Sequence, residues 1–111
     1  MDVDNLSRLI RDIPDFPEEG VVFKDITPVL ADGKAFGDLI TGLTAPYQEA
    51  GISKVAGIEA RGFTLATPVA ERLGAGFIPL RKLGKLPYET VTEQYALGYG
   101  IYSRLVIQVA V

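Results

Sequence analysis

The stretch Gly57–Phe63, with the sequence GIEARGF, decides how this chain folds. The apolar run that includes Val55 and Ile58 ends on an acid, a small residue, an arginine and a glycine, and a helical pattern follows. This order is typical of a parallel strand that delivers a charged loop to the mouth of an α/β sheet. The next helix N-terminus favours an anion, and Arg61 would add a bidentate cation. The alternative is a surface turn whose arginine is solvated.

The neighbouring segments predict a βαβ unit around this stretch. Residues 54–58 have the pattern of a strand, residues 62–73 that of a helix, and residues 76–80 that of a second strand. A further helix is expected over 34–50, with Asp32 as its N-cap and a proline that shortens its end. The pattern predicts an α/β fold with a parallel, doubly wound sheet and flanking helices.

The remaining segments are less regular. We expect a short amphipathic helix over 4–12, a proline-punctuated loop over 13–20 and a short strand at 21–23. Residues 82–100 are polar and glycine-dotted, which favours a long binding or lid loop. Residues 101–111 are apolar and β-branched, so we expect a terminal strand with an exposed edge and poor solubility.

Composition excludes several classes of site. The 111 residues suit one domain, and the net charge of −3 argues against a nucleic-acid binder, including a DNA-binding regulator. There is no cysteine or histidine, so acid–base chemistry would fall to Asp, Glu, Lys or Tyr. No apolar run approaches the roughly 18 residues of a membrane span. The acidic N-terminus argues against a targeting peptide, so we expect a cytoplasmic protein without membrane contact.

Polar clusters follow three of the predicted strands, at Phe23–Asp25, Glu59–Gly62 and Arg81–Lys85. The aromatic ring of the first could stack on a flat heterocycle, or it could be a core residue beside a solvated pair. The other two could bind phosphate if they converge at neighbouring strand ends, or they could be solvated turns. None of the clusters decides between these alternatives by itself.

Five strings together resemble adenine phosphoribosyltransferases, a family of type I phosphoribosyltransferases. They are IPDFP at 13–17, GVVFKDITP at 20–28, GIEARGF at 57–63, RKLGKLP at 81–87 and YALGYG at 95–100. Their order and spacing match from about residue 8 to residue 100.

The resemblance implies a Rossmann-like type I phosphoribosyltransferase fold and a reaction. Such enzymes convert adenine and 5-phosphoribosyl diphosphate to AMP and diphosphate in purine salvage, with Mg²⁺ carried on the diphosphate substrate and no protein metal site. They are cytoplasmic and usually homodimeric. One domain over 1–111 would comprise an adenine-side hood segment (1–30), a βαβ core (31–81) and a mobile lid loop (82–100).

The resemblance also implies residue roles. The adenine pocket would be formed by Val22, Phe23 and Lys24. The diphosphate would be held by Glu59, Ala60 and Arg61, with charge added, partly across a dimer interface, by Arg81, Lys82 and Lys85.

The sequence departs from the family pattern at two features. Gly98 stands where the family has its acid–base glutamate, before the lid Tyr99, so the catalytic acid–base residue is not identified. The family's two-acid strand and Thr-Gly-Gly-Thr loop, which hold ribose 5-phosphate, are absent; the only adjacent acids are Glu18-Glu19 and the only Thr-Gly is Thr41-Gly42. We therefore expect a fold truncated before that loop and no AMP formation by chain 1–111. The alternative to an enzyme is an inactive relative that binds adenine and diphosphate weakly or acts as an assembly partner.

Overall fold

The protein is described by a computed structural model that covers residues 3–82, 84–87, 90–96 and 102–108, the last two ranges by their backbone alone. The chain divides into two compact units, residues 1–46 and 47–111. The sequence-based division into hood, core and lid stays a prediction.

Short helices and a small hairpin form the first unit. Its elements are α1 (Val3–Leu9), β1 (Arg11–Ile13), β2 (Phe23–Asp25), α2 (Thr27–Ala31) and α3 (Gly33–Thr44), and a 3₁₀ turn follows at Ala45–Tyr47. Leu6, Val29 and Ala35 are buried against one another, so one residue from each of the three helices builds the core.

Both ends of helix α3 are explained by nearby residues. The Asp32 carboxylate accepts a hydrogen bond from the backbone N–H of Ala35 at 3.0 Å, which confirms the predicted N-cap. The helix ends at Thr44, two residues before Pro46, so the predicted shortening is confirmed. The fully buried Thr44 hydroxyl donates to the Ile40 carbonyl at 2.8 Å, which satisfies it inside the core.

The β1–β2 hairpin differs from the predicted pattern. Residues 11 and 12, expected in the first helix, form strand β1, which pairs antiparallel with β2 in the register Ile13↔Phe23. Strand β2 begins at Phe23 and replaces the strand expected at 21–23. Helix α2 was not predicted: Pro28 stands in its first turn, where a missing N–H costs nothing.

The second unit is built on the predicted βαβ unit. Its elements are β3 (Lys54–Ile58), α4 (Arg61–Leu73), β4 (Gly76–Lys82), β5 (Thr90–Ala96) and β6 (Tyr102–Gln108). Strands β3 and β4 are parallel, and α4 connects them, which confirms the α/β pattern. Gly74 ends α4 with a positive φ of 69°, a conformation that suits glycine.

The far side of this sheet corrects two expectations. The strand order is β3-β4-β6-β5, and β6 pairs antiparallel with both neighbours, so the sheet is mixed and not wholly parallel. Within the predicted lid loop 82–100, residues 90–96 form a strand. The expectation that 101–111 exposes a free edge is wrong over residues 102–108, because β6 lies between two strands. The prediction of poor solubility was based on that free edge and is no longer supported by it.

Across the part of the chain that the structure describes, no helix has the length and apolarity needed to cross a membrane.

Candidate functional site

The turn between β3 and α4 is shaped by a close approach of backbone to helix. A Cβ added at Gly57 would lie 2.7 Å from Ala66 Cβ and 2.8 Å from the carbonyl oxygen of Gly62. Real Cβ atoms do not come this close, so only glycine lets α4 begin directly over the end of β3. The Glu59 backbone N–H then donates to the Leu80 carbonyl at 2.9 Å, which continues the β3–β4 pairing into the turn.

Arg61 is the first residue of α4, and its side chain is exposed. Ala60 is the N-cap and makes no side-chain capping bond, and the peptide bond between Glu59 and Ala60 is cis. The sequence predicted that this helix begins at residue 62, and the observed start at Arg61 confirms the prediction to within one residue. The arrangement puts a cationic side chain at the positive end of the helix dipole, as an anion site requires.

A half-buried ion pair joins this turn to the end of β4. Arg81 Nη2 lies 2.6 Å and Arg81 Nε 3.2 Å from the same oxygen of Glu59, Oε2. The two side chains are 33% and 23% exposed, respectively, so the pair is far less solvated than an ordinary surface pair. The polar clusters at 59–62 and 81–85 therefore converge, as a phosphate site needs.

The electrostatics of Glu59 follow from this pairing. The hydrogen bond from Arg81 is the main reason that the pKa of the Glu59 carboxyl is lowered, with smaller contributions from the Lys82 backbone and the charge of Lys85. Glu59 is therefore ionised at neutral pH. Its other oxygen, Oε1, is buried and has no hydrogen-bond partner among the described residues.

The basic turn after β4 holds the remaining predicted cations. Lys82 and Lys85 are exposed, and the Lys85 N–H donates to the Lys82 carbonyl at 3.1 Å. Gly84 has a φ of 86°, which a glycine adopts without strain. Arg81 Nη1 reaches the Lys85 carbonyl at 3.4 Å, so the arginine also braces the turn.

The predicted base-binding residues lie on the hairpin of the first unit. Phe23 is half-buried, and its ring meets that of Phe16 edge-on, with 5.1 Å between centroids. Val22 is 56% exposed. Lys24 Nζ lies 2.6 Å from Asp12 Oδ1, and both side chains are exposed.

Sequence reasoning missed the groups that brace this hairpin. Arg11 donates to Asp25 Oδ2 through Nε at 3.1 Å and Nη2 at 2.8 Å, and its Nη2 also reaches the Thr27 hydroxyl. The Thr27 hydroxyl and backbone N–H donate to Asp25 Oδ1, and these bonds are the main cause of a lowered Asp25 pKa. The Asp-x-Thr spacing was a usable turn signal, whereas nothing local pointed to Arg11.

The predicted residues thus fall in two groups. The residues predicted to bind adenine, Val22 to Lys24, lie in the first unit. The residues predicted to bind diphosphate, at 59–61 and 81–85, lie in the second unit. Gly98 and Tyr99 lie outside the described residues. Within the described residues, no group of three or more acidic side chains could hold a metal ion.

Known structures define the class of protein. An adenine phosphoribosyltransferase from Rhodothermus marinus matches with a TM-score of 0.87 and 48% identity, over 96% of this chain and 60% of that one. The Giardia lamblia enzyme, solved in complex with 9-deazaadenine, matches with a TM-score of 0.92 and 40% identity, over 97% of this chain and 60% of that one. The fold is therefore that of the type I phosphoribosyltransferases.

Sequence comparison narrows the class. The adenine phosphoribosyltransferase of Myxococcus xanthus is 54% identical over 98 residues, which are 88% of this chain and 53% of that protein. This chain belongs to the adenine phosphoribosyltransferase family and matches the N-terminal part of its members. It spans about half the length of the curated relatives that it matches. No model of a protein family matches the chain.

Proposed function

We propose that this chain supplies the adenine and diphosphate sites of an adenine phosphoribosyltransferase, acting in purine salvage. The reaction joins N9 of adenine to C1′ of 5-phosphoribosyl diphosphate. The bond from C1′ to the diphosphate oxygen breaks, N9 gives up its proton, and AMP and diphosphate result. Mg²⁺ would arrive on the phosphoribosyl diphosphate. A cytoplasmic homodimer is part of the proposal.

The observation that carries the proposal is the Glu59–Arg81 ion pair beside the N-terminus of α4. The leaving diphosphate gains negative charge as the ribose gains oxocarbenium character. Cations that are already in place at the diphosphate lower that barrier, because no reorganisation is needed during the reaction. Arg61, Arg81, Lys82 and Lys85 would supply this charge.

The base side of the proposal rests on the hairpin. Phe23 would stack on adenine, while the backbone around Val22 and Lys24 would hydrogen-bond to the edge of the base. The edge-on contact with Phe16 would support the orientation of the Phe23 ring. Residues 82–100 would close over the substrates and exclude water that hydrolyses the sugar.

A second candidate function is binding without catalysis. It is favoured by Gly98, because a glycine cannot transfer a proton at the position where the family has a glutamate. In that case the chain would bind adenine and diphosphate weakly or serve as an assembly partner.

One pair of measurements separates the candidates. Purified chain 1–111 is incubated with radiolabelled adenine, phosphoribosyl diphosphate and Mg²⁺, and AMP is counted; calorimetry measures binding of adenine and of diphosphate. Turnover above a no-protein blank supports the enzyme. Binding without turnover, which we expect, supports the second candidate. The absence of both contradicts the enzyme and the weak binder and leaves the assembly partner.

A further inference from the structure

We infer that Glu59 is a positioning residue that fixes the guanidinium of Arg81 for an anion, and that Glu59 itself does not contact the anion. The inference deepens the proposed function and rests on it, since the anion is the diphosphate of that site. It reassigns Glu59 from the ligand role that the family resemblance implied.

The geometry fixes the guanidinium on two sides. The N–H groups on Nε and Nη2 both point to Glu59 Oε2, and Nη1 points to the Lys85 carbonyl. A guanidinium has five N–H donors in one plane. These contacts engage three of them and leave the others for an anion, in an orientation set before the anion arrives.

The chemistry of Glu59 is wrong for a phosphate ligand. An ionised carboxylate only accepts hydrogen bonds, as does a phosphate oxygen, so the two groups repel. The lowered pKa keeps Glu59 ionised at neutral pH. Its second oxygen, Oε1, is buried and makes no hydrogen bond within the described part of the chain, so an anion cannot approach that side of the carboxylate.

A merely structural bridge between β3 and β4 is the competing explanation. Such a bridge would affect folding stability but not the affinity for diphosphate at a constant fold. The two explanations therefore differ in how diphosphate affinity responds to removal of Glu59. If Glu59 only repelled the anion, its removal would strengthen binding; if it positions Arg81, removal weakens binding.

The test uses Glu59→Ala and Glu59→Gln in the full 111-residue chain. Gln retains an oxygen that can accept from Arg81 but lacks the negative charge, so Glu59→Gln should keep only part of the Arg81 order and of the diphosphate affinity. Asp38→Ala is the matched control, because Asp38 is similarly exposed at 29% and forms a 2.8 Å ion pair with Lys34 within α3. Urea unfolding of each variant shows whether the fold is retained.

Two properties of each variant are measured: the order of the Arg81 guanidinium and the affinity for diphosphate. ¹⁵N relaxation of the Arg81 Nε–H group reports the order of the guanidinium, and calorimetry with inorganic diphosphate reports affinity. We expect Glu59→Ala to disorder the Arg81 signal and weaken diphosphate binding about tenfold, the scale of one lost charge-assisted hydrogen bond. Glu59→Gln should reduce the Arg81 order and the diphosphate affinity less than Glu59→Ala does, and Asp38→Ala should change neither.

The outcomes are distinguishable. An Arg81 signal as ordered in Glu59→Ala as in the wild type, or diphosphate affinity that is unchanged or higher, overturns the inference and leaves the proposed function standing. A wild-type chain that does not bind diphosphate contradicts the proposed function and with it the anion role of Arg81. If Glu59→Ala does not fold, the comparison of Glu59→Gln with Asp38→Asn decides by the same two readouts: a larger loss in Glu59→Gln supports the inference, and equal values overturn it.

Discussion

The β1–β2 hairpin and the β3–α4 turn both carry paired charges, but they expose them differently. On the hairpin, Lys24 and Asp12 are 63% and 62% exposed, so solvent and salt screen their attraction. At the turn, Glu59 and Arg81 are half-buried, and two nitrogens of Arg81 donate to the same oxygen of Glu59. The proposed function uses the two regions differently: an aromatic and backbone surface for a neutral base, and an arginine held in place for a charged group.

The largest expected effect concerns the backbone contact that shapes the turn. Gly57→Ala should lower the free energy of unfolding by about 1–3 kcal/mol, because its methyl group would overlap Ala66 and the Gly62 carbonyl. Gly37→Ala is the matched control in α3, where an added Cβ meets nothing within 4 Å. Gly37→Ala should raise the free energy of unfolding by roughly 0.8–1 kcal/mol, because alanine has a higher helix propensity than glycine. Urea unfolding followed by circular dichroism measures both; equal changes would refute the close packing of the turn.

A second prediction removes one arginine from each region. Arg81→Ala should weaken diphosphate binding about tenfold, and leave adenine binding unchanged. Arg11→Ala changes the net charge equally, but it removes the brace to Asp25 and so should weaken adenine binding alone. Calorimetry with each ligand gives the four values. If the two variants lose the same ligand, the separation of the two regions is wrong.

The ring pairs give a third comparison. Phe16→Leu removes an edge-on contact with Phe23, worth about 0.5–1.5 kcal/mol, and should reduce adenine affinity. Phe63→Leu removes a similar contact with Phe77, at 5.5 Å between centroids, and should reduce stability without affecting adenine. Adenine titrations and urea unfolding test the pair; adenine affinity that is unchanged in Phe16→Leu counts against a base site at Phe23.

The smallest effect is in the pH dependence of each region. The pKa of Asp25 and that of Glu59 are both lowered, so each group stabilises the fold above its ordinary pKa, and the contribution is lost as pH falls through the lowered value. The main causes differ: hydrogen bonds from Thr27 for Asp25, and from Arg81 for Glu59.

Carboxyl ¹³C titration can separate these causes. Thr27→Val should raise the Asp25 pKa toward its ordinary value and leave that of Glu59 unchanged. Arg81→Met should raise the Glu59 pKa toward its ordinary value and leave that of Asp25 unchanged. An Asp25 pKa that stays as low in Thr27→Val would show that the Thr27 hydroxyl is not the main cause of the shift.

Some parts of the molecule could be predicted from sequence because their signals are local. The β3–α4–β4 unit has an apolar strand, a charged turn and a helix that ends at Gly74, and each of these features acts within a few residues. Its parallel pairing then brings the turn to the end of β4, so the convergence of Glu59 with Arg81 followed from topology.

Other parts depend on distant partners. Strand β1 has three residues, and it is fixed by Arg11 pairing with Asp25, fourteen positions away, which no local pattern reveals. The position of β6 between β4 and β5 is equally non-local. Strand β5 did have a local signal, the β-branched run at 90–92, which the polar character of the segment obscured.

The central claim is that the second unit presents a diphosphate site and the first unit a base site. The most direct measurement is a titration of the ¹⁵N-labelled chain with inorganic diphosphate and then with adenine, followed by amide chemical shifts. We predict that diphosphate shifts residues 59–63 and 81–85, and that adenine shifts residues 22–24. Diphosphate shifts spread evenly over unrelated basic residues such as Arg8 and Lys34, with none concentrated at the β3–α4 turn, would contradict the claim.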